Sequence, residues 1–182
     1  MSLHDVPVGR DVPNDINVII EIPMNSPAIK YEVDKKSGTL YVERMLKTAM
    51  HYPCNYGYVP HTLCGDGDPV DVLVVMPMQV QAGAVVKCRP IGLLRMADES
   101  GDDAKVIAVP VEEVTSIYRD VQSVDDVDSL LLGQIRHFFE HYKDLETNKW
   151  VKVDGWEDVD SARKEIMDSI RRFNESPDQP NF

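Results

Sequence analysis

The sequence predicts a mainly β fold with two flanking helices in its C-terminal half. Short apolar runs, alternating or continuous and most of them bounded by Gly, Pro or Asp, recur through residues 17–109. A period of three and four appears only from Asp125 and again from Asp158. At 182 residues, 43% hydrophobic and 27% charged, the chain reads as one globular domain over 1–182 with a sizeable core.

Asn17 to Pro23 is a strand stopped by proline, and Glu21 is an ionisable group inside its apolar run, so it needs a partner. Ala28 to Asp34 alternates with period two, which puts Lys30, Glu32 and Asp34 on one face and Ile29, Tyr31 and Val33 on the other. Lys35 to Gly38 is a turn, and Thr39 to Arg44 returns as the second arm of a hairpin, bringing Lys30, Glu32 and Arg44 to one surface. His51 to His61 is aromatic and proline-rich without helical period, and Tyr52, Tyr56 and Tyr58 read first as packing residues. The spacing His51, Cys54, His61, Cys64 has the outline of a zinc site, but the gap between its halves is too short for a finger.

Asp66 to Asp71 is an acidic turn that enters the continuous apolar strand Val72 to Met76. Ala84 to Leu94 is a long strand pattern whose Pro90 and Gly92 suggest an edge or a bulge. A second acidic turn, Asp98 to Lys105, feeds the strand Val106 to Val109. Asp125 to Tyr142 is the clearest helix, with Val127, Leu130, Leu131, Ile135, Phe138 and Tyr142 on its apolar face. It contains His137-Phe138-Phe139-Glu140-His141, the H-x-x-E-H pattern of a zinc peptidase, which still requires a distant third ligand. Lys149 to Val153 is a short strand, and Asp158 to Asn174 is a final helix with Val159, Ala162, Ile166, Ile170 and Phe173 inward. The tail 175–182 carries two prolines and is expected to fray.

Thirty-one acidic against nineteen basic side chains give a net charge of −12, which argues against nucleic acid or an anionic membrane as partner. There is no secretory start and no apolar run near the length of a bilayer span, so a cytoplasmic setting is the default expectation. Three cysteines fit reduced, packed thiols better than a disulfide framework.

The acidic turn carries the chemistry. Asp66, Asp68 and Asp71 fall within six residues, and like charges at about 4 Å repel by about 4 kcal/mol per pair at an effective dielectric near 20. Cations must therefore stand nearby. Oxygen-only ligands are hard and suit Mg²⁺, Mn²⁺ or Ca²⁺. An EF-hand loop counted from Asp66 fails, because its glycine position falls on Asp71 and its closing glutamate on Pro77. Gly67 permits close backbone approach and Pro69 stiffens the turn.

The run Asp66-Gly67-Asp68-Pro69-Val70-Asp71-Val72 resembles the signature of the soluble inorganic pyrophosphatases of the first family. Ile29 to Glu32, Val42 to Arg44, Tyr52 to Gly57, Gly101 to Lys105 and His141 to Leu145 are similar to that family's other blocks, in its order. The compact length and His137 to Leu145 look like its bacterial branch.

The resemblance implies a small closed β-barrel of the OB type, a homohexamer, and Mg²⁺-dependent hydrolysis of pyrophosphate, taken as its metal complex, to two orthophosphates. Mn²⁺ or another divalent ion is a possible substitute. By resemblance Asp66, Asp71 and Asp103 hold the activating metals, and Asp98, Asp103 and Glu32 receive metal arriving with substrate. Asp68 is the base; Lys30, Arg44, Lys105, Tyr142 and Lys143 bind phosphate oxygens with Tyr56 nearby; Glu21 and Tyr52 support from behind. His137 and His141 would lie at a contact between subunits. A broader Mg²⁺-dependent phosphohydrolase is the nearest alternative, ahead of an OB-type binding module and a zinc peptidase.

Overall fold

The computed structural model describes residues 3–34 and 36–180. Lys35 of the expected turn and residues 181–182 of the tail lie outside them. The elements are β1 (Ile16–Ile22), β2 (Ile29–Val33), β3 (Leu40–Met45), β4 (Asn55–Val59), β5 (Val70–Val74), β6 (Val85–Asp98), β7 (Gly101–Pro110), α1 (Ser129–His141), β8 (Val151–Glu157) and α2 (Val159–Glu175).

Five strands run in the order β1-β4-β5-β7-β6, and the pairing of β6 back onto β1 closes them into a ring. The fold is thus the mainly β, two-helix class expected, with the strands in a closed circuit. β6 explains both the closure and the edge signal read at Pro90. Its first residues, 85–88, pair with β1, and residues 93–98 pair with β8, with an irregular register between Pro90 and Gly92. The proline and glycine thus mark a bulge where the strand exchanges one neighbour for another, and β6 is no edge. β1 can lie close on β4 because Gly57 has no side chain: a Cβ there would stand 1.9 Å from the Ile19 carbonyl oxygen.

Alternation along β5 and β7 separates two apolar clusters. Val70, Val72, Val74, Val106 and Ala108 join the one that α2 covers with Ala162 and Ile166. Leu73, Val75, Ile107 and Val109 join the other, which α1 covers with Ile135, Phe138 and Phe139. By the same period of two, Asp71, Asp103 and Lys105 fall on the α1 face, where the two parallel strands begin.

Several boundaries differ from the sequence reading. β4, fully buried, lies inside the stretch read only as aromatic, proline-rich and without helical period, since a strand covered on both faces shows no apolar-polar alternation to mark it. β7 begins at Gly101, so most of the second acidic turn is strand and the turn itself is Glu99-Ser100. The helix expected from Asp125 starts at Ser129, capped by the Asp128 side chain; Val124–Asp126 is a separate 3-10 turn, and extended Val127 breaks the two apart. Leu130, assigned to the apolar face, is 69% exposed, and Phe139 is buried in its stead. β8 runs further than expected and takes Trp156 into its ladder. Among the described residues no helix is long and apolar enough to cross a membrane.

Candidate functional site

A cavity of about 280 Å³ opens where β5, β7, the β2–β3 hairpin and the end of α1 meet. Every site residue named from the sequence lines it except Glu21. Glu21 lines a smaller adjoining cavity that also touches Lys30, Glu32, Tyr56, Asp68 and Asp71, so it stands behind the first.

The strands place these groups. Asp71 and Lys105 are register partners on β5 and β7, and Asp103 lies two residues before Lys105 on the same face. Lys30 and Arg44 are register partners across the β2–β3 hairpin, which has an irregularity just after Lys30. Asp98 ends β6. Asp66 and Asp68 sit in the loop before β5, where the Asp68 amide donates to Asp66 Oδ1 at 3.0 Å.

Ammonium groups stand between the carboxylates. Lys105 Nζ, 4% exposed, lies 2.5 Å from Asp71 Oδ2 and 2.7 Å from Asp103 Oδ1. Burial works against its charge, but Asp103 and Asp71 outweigh it and hold the pKa well above the ordinary lysine value. Burial raises the Asp71 pKa, with Lys105 opposing and Asp103 adding: two carboxylates share one ammonium. Lys143 Nζ likewise lies 2.7 Å from Asp98 and 3.2 Å from Glu99. Lys30 reaches Glu32 at 3.2 Å, and the Arg44 guanidinium is held by Glu43 at 2.9 Å. Burial pushes the Tyr52, Tyr56 and Tyr142 hydroxyls above the ordinary phenol value, so they remain protonated donors.

The lining holds eight carboxylates, Glu32, Glu43, Asp66, Asp68, Asp71, Asp98, Glu99 and Asp103, against five cationic side chains. This excess suits hard divalent cations and rejects a bare polyanion. Among the described residues, however, no three acidic, His or Cys side chains converge tightly enough to form a ready-made metal shell. The carboxylates gather around one cavity, and Lys105 already occupies a cation position between two of them.

Glu43, Glu99 and Lys149 share the cavity and were not singled out in the sequence. Glu99 takes both Lys143 and Lys149, at 3.2 and 3.4 Å. Its place beside Asp98 in an acidic turn was the available signal. The two zinc alternatives do not assemble. His51 contacts the Asn25 carbonyl, His61 stacks edge-on against His4 and Phe173, and Cys54 is buried. The His137 and His141 rings lie 4.6 Å apart, but Glu140 is paired with Arg136.

The sequence profile of the family described as Inorganic pyrophosphatase matches residues 18–174, a span that contains every residue of this cavity. The chain belongs to the inorganic pyrophosphatase family. It is similar to the inorganic pyrophosphatase of Yersinia pestis, 59% identical over 172 residues that cover 94% of this chain and 98% of that one. That of Escherichia coli K12 is 57% identical over the same coverage. The solved inorganic pyrophosphatase of Coxiella burnetii superposes with a TM-score of 0.88 at 54% identity, covering 92% of this chain and 99% of its own. Family membership implies a divalent metal cofactor, which the oxygen donors of the cavity suit.

Proposed function

We propose that the protein hydrolyses inorganic pyrophosphate, as its Mg²⁺ complex, to two orthophosphates. The observation that carries this reading is the meeting, in one cavity inside the matched span, of an oxygen-rich acidic lining with separate basic groups. A compact polyanion needs both: cations to bridge it to the carboxylates, and fixed positive charge for the oxygens left over.

In this reading Asp66, Asp71 and Asp103 would hold the activating divalent ions, and Asp98, Asp103 and Glu32 would receive those that arrive with substrate. Bound divalent ions supply acidified water and neutralise phosphate oxygens. Asp68 accepts the proton of the attacking water as its oxygen bonds to one phosphorus and the bridging P–O bond breaks. Lys30, Lys105 and Lys143 act as point charges on phosphate oxygens, Arg44 as a planar fork, and Tyr56 and Tyr142 as hydroxyl donors. Glu21 supports this wall from behind, and Tyr52, which lines the cavity, supports the neighbouring Tyr56 through ring contact. The chain acts as one pyrophosphatase domain, in a cytoplasmic homohexamer.

The test is phosphate release from pyrophosphate, ATP and sugar phosphates, each with MgCl₂ and with excess chelator. Release from pyrophosphate alone, abolished by chelation, is expected. Comparable rates on all three would assign a broader phosphohydrolase in its place.

A further inference from the structure

The loop that leaves β4 at Val59 and enters β5 at Val70 carries Asp66 and Asp68, and a single buried hydroxyl joins its two ends. Thr62 is 0% exposed. Its Oγ1 donates to the Val59 carbonyl at 2.6 Å and accepts from the Val70 amide at 2.9 Å. Val59 and Val70 are the last registered pair of the two strands. The hydroxyl therefore relays between the carbonyl of one strand end and the amide of the other.

From this anchor a chain of bonds leads to the carboxylates. The Leu63 amide donates to the Ser169 carbonyl of α2 at 3.0 Å, and the Cys64 amide to the Asp68 carbonyl at 2.7 Å. The Asp68 amide in turn donates to Asp66 Oδ1 at 3.0 Å. The carboxylates of the cavity come from separate elements and do not form a closed shell by themselves, so the position of this loop decides how they meet a cation.

We propose that Thr62 is a positioning residue that sets the loop so that Asp66 and Asp68 face Asp71 across the cavity. The inference rests on the metal-dependent pyrophosphatase reading. Valine at this position has the shape but not the hydroxyl, and leaves a buried carbonyl and a buried amide unpaired. They recover only by closing directly on each other, which draws the loop ends together and shifts what the loop carries.

Wild-type protein is first assayed for phosphate release from pyrophosphate; failure there removes the pyrophosphatase reading and leaves the calorimetry below to judge the loop. MnCl₂ and MgCl₂ are titrated calorimetrically into wild type, Thr62→Val and Thr62→Ser without substrate, and turnover is followed against Mg²⁺ concentration. Thr62→Val is expected to weaken metal binding roughly tenfold to a hundredfold and to raise the Mg²⁺ needed for half-maximal rate in step. Thr62→Ser, which keeps the hydroxyl, is expected within about threefold of wild type. Val153→Ala on β8, outside the cavity, controls for general destabilisation and should leave metal affinity unchanged. Wild-type affinity in Thr62→Val, equal loss in Thr62→Ser, or the same loss in Val153→Ala each overturns the proposal. If Thr62→Val does not fold, Thr62→Cys decides, since its weakly bonding thiol should give an intermediate loss and an unchanged affinity rejects the role.

Discussion

Lys105 Nζ lies 2.5 Å from Asp71 Oδ2, and the two residues are direct partners on parallel strands. Parallel pairing at the start of β5 and β7 puts an ammonium and a carboxylate side by side on the face that continues into the α1 cluster. The same ammonium reaches Asp103 at 2.7 Å. In the proposed reading a divalent cation held by Asp71 and Asp103 would share this space with Lys105, and the lysine would serve as an internal counter-charge for the metal-free fold.

Lys105→Met tests that role. In metal-free protein it leaves two half-buried carboxylates without their shared cation, a loss of at most about 3–5 kcal/mol, the usual cost of breaking a fully buried pair. Saturating MgCl₂ should restore much of it. Urea unfolding with chelator and with MgCl₂ measures the difference; an equal loss in both would show that the lysine matters for packing and not as a counter-charge.

Asp68 is held through its main chain, since its amide donates to Asp66 and its carbonyl accepts from Cys64. Asp68→Asn should therefore keep the fold and metal affinity while lowering turnover by roughly 10²–10⁴-fold, the usual contribution of a positioned base. Turnover near that of wild type would remove Asp68 from the proton transfer.

How much of this was readable in the sequence follows from what each signal depends on. The β2–β3 hairpin was legible because it is half exposed and alternates, so Lys30 and Arg44 could be placed on one surface. The Asp66 to Asp71 turn was legible because three carboxylates so close together require a cation. β4 was not, because a strand buried on both faces shows no period. Glu99 was hidden by its neighbours: only the fold shows that Lys143 and Lys149 reach back across more than forty residues to it. The sharing of Asp71 and Asp103 by one lysine likewise depends on the β5–β7 register, a long-range pairing that local pattern does not carry.

Glu21 gives a pH prediction. It lies at an irregular point of the β1–β4 ladder, and its Oε1 accepts from the Val33 amide at 2.7 Å. Burial pushes its carboxyl up to about 8 from an ordinary 4.5, with the Val33 bond opposing and Asp71 and Glu32 adding. A folded-state pKa above the unfolded one contributes stability that is present below 4.5 and lost as pH rises through about 8. Metal-free wild type should thus lose stability relative to Glu21→Gln between those values, by an amount on the order of a few kcal/mol. Parallel urea-unfolding curves for the two proteins across pH 5 to 9 would contradict this.

The exposed face of α1 bears on the proposed hexamer. His137 and His141 stack with ring centroids 4.6 Å apart, His141 Nδ1 lies 2.9 Å from Asp144, and Leu130 on the same helix is 69% exposed. Asp144 contacts His141, while the nearby Glu140 is already paired with Arg136. The two rings and the Leu130 side chain are thus what this face offers a neighbouring subunit. The double variant His137→Ala, His141→Ala removes both rings and should weaken a contact made through this face, so sedimentation velocity should show smaller species for the variant than for wild type at the same concentration. A variant that sediments as wild type does would take these histidines out of the subunit contact.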